Sequence, residues 1–390
     1  MKWAIVEIET LKASGRNALV GGPFGSDLTS KSYVEEGVPV IRGNNLPDHT
    51  AFHDQDFVFV SDEKAASLSS NTAGPGDLIF TQRGTLGQVG LISETPNFPR
   101  YDISQSQMKL KVDETKAEPR FIYYYFRLPT TVEAIKSHVS SSGVPHINLG
   151  VLRRFKIPLP PLQQQRRIVE VATAYDDLME NNRRRMALLE ESARLLYQEW
   201  FVHLRFPGHE KAKMTNGVPQ GWERTPLESA LVLQRGFDLP SQDRQEGDVP
   251  IYGSTGISGH HDKSKVKAPG IVTGRSGTLG EVHFAREDFW PLNTALWVKE
   301  FKRVSPLLAL FMLRALDLKQ YNGGSSVPTL DRKSVHKLEV LLPPEKLIRS
   351  FDDLISSLFQ QVGNLSQQNS KLRTARDLLL PRLMSGEITL

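Results

Sequence analysis

The chain has no cysteine among its 390 residues. That excludes a disulfide framework, a thiolate nucleophile and Cys-ligated zinc, and it fits a reducing compartment. No run approaches the roughly 18 apolar residues that a membrane-spanning helix requires, so no membrane contact is expected. The opening Met1-Lys2-Trp3-Ala4-Ile5-Val6-Glu7 soon places an acid where a signal peptide would be apolar, and a cytoplasmic protein is expected. A charge excess of one sign is missing too: 48 basic and 44 acidic residues leave a net +4. Residues 1–155 hold 16 basic against 17 acidic, and residues 206–342 hold 18 against 15. Such a balance permits a nucleic-acid partner only if positive charge gathers on one face. Common catalytic signatures are absent as well. There is no Gly-x-x-x-x-Gly-Lys-Ser/Thr phosphate loop, Gly-x-Gly-x-x-Gly dinucleotide turn, His-Glu-x-x-His zinc helix, Gly-x-Ser-x-Gly elbow or Asn/Asp-Pro-Pro-Tyr/Phe methyltransferase motif.

What is present is a duplication. A shift of 183 lays Ser142-Gly143-Val144-Pro145 over Ser325-Ser326-Val327-Pro328, Pro160-Pro161 over Pro343-Pro344, Arg166 over Arg349 and Leu195-Leu196 over Leu378-Leu379 without a gap. Upstream, with a larger shift, Pro75-Gly76-Asp77-Leu78-Ile79 and Gly84-Thr85-Leu86-Gly87-Gln88-Val89 echo Pro269-Gly270-Ile271-Val272 and Gly277-Thr278-Leu279-Gly280-Glu281-Val282. Gly37-Val38-Pro39-Val40-Ile41 matches Gly247-Asp248-Val249-Pro250-Ile251 more loosely.

Each half reads as a Gly-rich mixed region followed by one long helix. After Pro160-Pro161, Ile168, Val171, Tyr175, Leu178, Asn182, Met186, Leu189, Ala193, Leu196 and Trp200 alternate spacings of three and four, which is a heptad seam. After Pro343-Pro344, Phe351, Ile355, Leu358, Val362, Leu365, Asn369, Leu372, Ala375, Leu379 and Leu383 keep the rhythm apart from one slip near Ala375. At about 40 residues each rod would be about 60 Å long. Two stripes of matching length are expected to pair as an antiparallel coiled coil. Asn182 and Asn369 are either polar register marks or partly exposed polar residues.

In the mixed regions, Asp77–Thr81, Gln88–Ile92, Gly270–Thr273 and Glu281–Phe284 read as strands, and Phe121–Leu128 and Leu307–Arg314 as helices. Pro207–Gly221 reads as a linker. The Gly84-x-x-Gly87-x-x-Gly90 and Gly274-x-x-Gly277-x-x-Gly280 spacings suit tight hairpins, and His260-His261 an exposed turn. Antiparallel rods would carry the two mixed domains at opposite ends in pseudo-two-fold relation, a symmetry that duplex DNA shares. Dissimilar heads would read two separate blocks of an asymmetric target.

Ala18-Leu19-Val20-Gly21-Gly22-Pro23-Phe24-Gly25-Ser26-Asp27, Tyr33, Gly37 to Asn45, Gly84-Thr85-Leu86-Gly87, Val144-Pro145-His146-Ile147 and Pro158-Leu159-Pro160-Pro161-Leu162-Gln163-Gln164-Gln165 resemble the DNA-specificity subunit of type I restriction-modification systems. Gly221-Trp222-Glu223, Pro250 to Ile257, Pro269 to Gly280 and Leu383 to Ile388 resemble its second copy. The resemblance covers the chain in order and twice. It implies an α+β chain without an active site: target-recognition domains at 1–155 and 206–342, with conserved helical regions at 156–205 and 343–390. It also implies double-stranded DNA, two modification subunits that methylate adenine with S-adenosylmethionine, and two restriction subunits that use ATP. This chain itself would hold no cofactor and no metal; S-adenosylmethionine, ATP and Mg²⁺ belong to the partners. The second helix begins Pro343-Pro344-Glu345-Lys346-Leu347 without the glutamines of the first, so the two modification-subunit interfaces are expected to be unequal.

For DNA contact the residues themselves point to Gln82, Arg83 and Thr85 in the first half and Arg275, Ser276 and Thr278 in the second. Glycine lets these loops approach a duplex, Arg can bridge guanine O6 and N7, and Gln can bridge adenine N6 and N7. Base contact, phosphate contact and a structural ion pair stay open for each arginine. Arg42 and Asn44, and Tyr252 and Ser254, are further candidates. Two other classes are alternatives. Pro47-Asp48 followed by Asp62-Glu63-Lys64 fits the carboxylate and Lys pattern of a Mg²⁺-dependent nuclease, and the heptads alone would suit a scaffold without DNA contact.

Overall fold

The computed structural model describes residues 3–48, 50–138, 145–323 and 328–390. The repeat landmarks Ser142-Gly143-Val144 and Ser325-Ser326-Val327 lie outside them. The chain divides into two compact units, one of residues up to Asn182 with Gln367–Leu390, the other Arg183–Ser366. Each takes half of both long helices, which run Leu162–Tyr197 and Glu345–Met384.

In the first unit a four-stranded sheet runs in the order Leu19–Gly21, Gln107–Leu110, Leu78–Thr81, Val89–Leu91, all neighbours antiparallel. The central strands are buried along their whole length, which is why Leu78–Thr81 reads as an unbroken apolar run rather than an alternation. A five-stranded sheet of Tyr33–Val34, Val58–Val60, Val38–Ile41, Tyr101–Ile103 and Thr72–Ala73 contains one parallel pair, with Val40 opposite Asp102. Ala4–Glu7 pairs with Lys156–Leu159. The helix Pro119–Phe126 buries Phe121, Ile122 and Phe126, the last with its ring 4.8 Å from Phe80.

The second unit repeats this plan. Its four-stranded sheet is Leu231–Arg235, Ala295–Phe301, Gly270–Gly274, Val282–Ala285, and Val249–Gly253 again pairs in parallel with a later strand, Trp290–Pro291. Glu223–Pro226 pairs with Glu339–Leu342, and the helix Pro306–Ala315 covers the sheet. The segment 207–221, expected as a linker, carries a small hairpin, Met214–Thr215 with Val218–Pro219. Asn216 and Gly217 at its tip both have positive φ, 50° and 73°, as a type I′ turn demands. His260-His261 is no exposed turn. It ends the strand Gly256–His261, and His261 is buried with Nδ1 accepting from Gln245 N at 3.1 Å.

The long helices pair inside each unit. In the first, Ile168, Val169 and Ala172 share a core with Leu380, Leu383 and Met384. Asp176 bonds Arg376, and Asn182 Nδ2 donates to Asn369 Oδ1 at 2.9 Å. Contacts that rise in number on one helix fall on the other, so the pairing is antiparallel. Asn182 is buried, and Asn369 Nδ2 also donates to Met179 O at 3.1 Å, so these amides face each other rather than solvent. In the second unit Tyr197, Trp200 and Phe201 pack with Phe351, whose ring lies 4.9 Å from Phe201. Two of the expected seam residues are exposed. Met179 is buried where Leu178 was expected, and Leu178 is 47% exposed. Ala375 is exposed, and the inward position belongs to Arg376. A straight helix drifts about 20° per heptad, which moves the stripe by one residue over this length. A π turn at Gln198–Val202 then turns both Trp200 and Phe201 inward.

Candidate nucleic-acid interface

The two Gly-rich loops share one main-chain frame. In the first unit the amides of Gln82 and Arg83 both donate to Ser106 O, at 2.7 and 3.3 Å, Gly84 N donates to Pro145 O, and Ile147 N donates to Gln82 O. In the second, the amides of Arg275 and Ser276 both donate to Thr294 O, at 2.8 and 3.1 Å, Gly277 N donates to Pro328 O, and Leu330 N donates to Arg275 O. Gly84 and Gly277 take φ of 99° and 88°, a region that any Cβ would strain. Gln82 therefore occupies the place of Arg275, and Arg83 that of Ser276. The two arginines are neighbours in the frame, not equivalents.

Arg42, Asn44, Arg83 and Thr85 come together on a cleft of about 850 Å³ in the first unit. Ser30, Tyr33, Gln88, Gln105 and Gln107 complete its polar wall, and no acidic side chain lines it. Gln82 and Arg83 also line a second cleft of about 1120 Å³ with Arg16, Lys64 and Arg153, where the one carboxylate is that of exposed Asp27. Among the described residues Arg16, Lys64 and Arg83 are in no ion pair. Gln88, Gln105, Gln107, Arg16, Lys64 and Arg153 were not found from sequence, because five separate stretches of chain bring them to one place.

In the second unit Arg275 lines a cleft of about 350 Å³ with Arg235, Arg332 and Lys333. Its Nη1 donates to Ser276 Oγ and to Asn293 O, both at 3.3 Å, so neutral oxygens hold it, and among the described residues it is in no ion pair. Asp331, the acid in this cleft, is committed to capping the helix Arg332–His336 through Lys333 N and Ser334 N. Thr278 is exposed, and Ser254 is half-buried. Tyr252 corrects the expectation: it is 7% exposed, with its ring 5.6 Å from Phe289. Leu292 N bonds Tyr252 O as Ser104 N bonds Ile41 O, so Tyr252 fills the core position of Ile41 and its ring is not available to a ligand.

Behind the first loop, the strand Gln107–Leu110 buries a charged group. Lys109 Nζ lies 4.0 Å from Asp77 Oδ2 and donates to Thr72 O at 2.5 Å, while Thr72 Oγ1 donates to Asp102 Oδ1 at 3.2 Å. Burial pushes the Asp102 carboxyl up to about 6. It also raises Asp77 against the pull of Lys109 and lowers Lys109. The residues of the nuclease pattern have other partners or places. Asp62 bonds Arg100 at 2.7 Å, Asp48 offers its main-chain oxygen to Arg127, and Lys64 lies within a helix capped by Ser61. Among the described residues no three His, Asp or Glu side chains gather to hold a metal, and no helix is long and apolar enough to cross a membrane.

The chain is similar to the MjaIX type I restriction enzyme specificity subunit of Methanocaldococcus jannaschii, 24% identical over 92% of this chain and 88% of the relative. It is 25% identical to the EcoBI specificity subunit of Escherichia coli, over 81% and 74%. Its fold resembles the crystal structure of a type I restriction-modification S subunit from M. genitalium, with a TM-score of 0.54 at 18% identity, covering 98% of this chain and 96% of that one. The family described as type I restriction modification DNA specificity domain matches twice, at residues 27–191 and 219–374. The duplication, the paired cationic loops and this double match together make the chain a member of the type I restriction-modification specificity family, whose role is DNA sequence recognition.

Proposed function

We propose that this chain is the non-catalytic, sequence-specific DNA-binding subunit of a type I restriction-modification complex in the cytoplasm. Recognition domains at 1–155 and 206–342 read the two blocks of a split, asymmetric target. The helical regions at 156–205 and 343–390 scaffold two modification subunits, which bring S-adenosylmethionine, and restriction subunits, which bring ATP and Mg²⁺. The observation that carries this reading is the repeated loop frame bearing different side chains, Gln82-Arg83 in one copy and Arg275-Ser276 in the other. A glutamine at that place suits adenine N6 and N7, an arginine suits guanine O6 and N7, and the flanking cations suit phosphate.

Duplexes selected from a random pool by the full chain with its modification subunit test it. Arg275→Ala is expected to lower discrimination at one block by about 1–3 kcal/mol and leave the other block's preference intact. Gln82→Arg should shift the preference of that other block toward guanine. A uniform loss over unrelated sequences would move Arg275 to phosphate, and a loss of preference at both blocks would refute separate reading heads.

A further inference from the structure

Phe24 is 86% exposed, the most exposed large apolar side chain among the described residues. It is no frayed end. The loop that carries it, Gly22-Pro23-Phe24-Gly25, is clamped from below: a Cβ on Gly22 would sit 2.0 Å from Ser104 O, so only glycine lets the loop lie this close to its neighbour. Gln105 Nε2 donates to Gly25 O and to Leu28 O, the latter at 2.7 Å. Gly25 itself turns at φ 52°. The second unit shows the same loop with the opposite choice. Gly236 meets Leu292 O as Gly22 meets Ser104 O, so Phe237 stands where Pro23 stands and Asp238 where Phe24 stands. Phe237 faces inward, its ring 6.5 and 6.3 Å from Trp290 and Trp297, and Asp238 accepts from Asn293 and Arg235. In the first unit buried Pro23 fills the inner place, leaving Phe24 with no packing role.

The surroundings state what Phe24 meets. It lines the cleft of about 1120 Å³ beside Arg16, Lys64 and Arg83, cations without ion pairs among the described residues. An exposed aromatic on a clamped loop among uncompensated cations fits a polyanion that carries flat apolar faces, which is nucleic acid. We infer that Phe24 is a wedge that enters a base step of the duplex beside the block read by the first recognition domain, while the cations hold the flanking phosphates. An apolar wedge of this kind partly unstacks one step and kinks the helix there. The inference rests on the DNA-binding reading above and adds to it a local deformation on one side of the target only, since Asp238 would repel what Phe24 admits.

The test uses the full chain with its modification subunit and the selected duplex, in which 2-aminopurine replaces adenines one at a time through and beside the first block. The expected result is a severalfold fluorescence rise at one step, lost in Phe24→Ala, kept in Phe24→Leu, and absent around the second block. Phe24→Ala is expected to bind about tenfold more weakly, and a mismatch placed at that step should restore most of the loss. Because Phe24 is exposed, thermal unfolding of the variant should match that of the parent chain. Binding without any fluorescence rise, or a rise that survives Phe24→Ala, overturns the wedge and leaves the DNA reading intact. Failure of the parent chain to bind any duplex overturns both. Unchanged DNA binding with loss of the modification subunit from Phe24→Ala would assign the side chain to a protein contact instead, which also overturns it.

Discussion

The two units build one sheet-to-sheet junction from opposite chemistry. In the first, Lys109 on the four-stranded sheet reaches across to Thr72 on the five-stranded one, with Asp77 and Asp102 buried beside it. In the second, strand register puts Trp297 where Lys109 stands and Trp290 where Asp102 stands, and Phe237 lies within 6.5 Å of both rings. The same backbone thus tolerates either a charged cluster or an aromatic one. The lesson is that the fold specifies where the strands go and leaves the filling open. A buried charge is tolerable only while its partners remain, whereas an aromatic cluster depends on volume and shape.

That difference can be broken at its centre. Lys109→Ala leaves two buried carboxylates without their cation and is expected to cost the first unit about 3–5 kcal/mol. The measurement is amide hydrogen exchange, which should quicken in Leu78–Thr81 and stay unchanged in Gly270–Gly274; equal quickening in both would show that the junctions are not independent. A smaller effect follows from pH. Asp102 keeps its proton to about pH 6 in the fold against 3.8 as its ordinary value. Its contribution to stability is therefore complete below about pH 4 and is lost as pH climbs through 6, an effect of up to about 3 kcal/mol. Exchange in the first unit should slow between pH 6 and pH 4 after correction for the intrinsic rate, and Asp102→Asn should flatten that response. The Trp-filled junction has no carboxylate at the corresponding place to respond.

The smallest effect lies where each sheet domain meets its long helix. Gln165 is fully buried in the first unit, its Oε1 accepting from Glu118 N at 2.9 Å and its Nε2 donating to Pro160 O at 2.8 Å. A shift of 183 puts Ile348 at that place in the second unit, where Ser305 instead donates to Asp352 at 2.7 Å. Gln165→Leu imitates the second joint without its serine bridge. It should cost about 1–3 kcal/mol through the unpaired Glu118 amide, read as earlier thermal loss of the first unit. A neutral outcome would mean that the apolar solution suffices in both. Gln165 also accounts for part of the glutamine run at the first helix: one of its three members serves an internal joint and not a partner surface.

Much of this was legible in the chain. The repeat, the strands at Leu78–Thr81 and Gly270–Gly274 and the helices at Pro119–Phe126 and Pro306–Ala315 all follow from periodicity and punctuation, because local pattern and tertiary burial agree there. The misses share a cause, which is that the deciding neighbour is remote in sequence. Nothing near Tyr252 says that it will stand in the place of Ile41, and nothing near Leu178 says that the drifting stripe will bury Met179 instead. The hairpin at Met214–Pro219 was available in Asn216-Gly217 and was outweighed by the density of Gly and Pro around it. At the candidate interface the loop glycines and arginines were visible, but the order in which Gln82 and Arg275 correspond needed the hydrogen bonds to Ser106 and Thr294.

Those hydrogen bonds run from main chain to main chain. Because the loop is held by its peptide groups and its glycines, the exposed side chains upon it can be exchanged at little risk to folding. A scaffold of this kind can change the side chains it presents by single-codon steps, without rebuilding the loop that carries them.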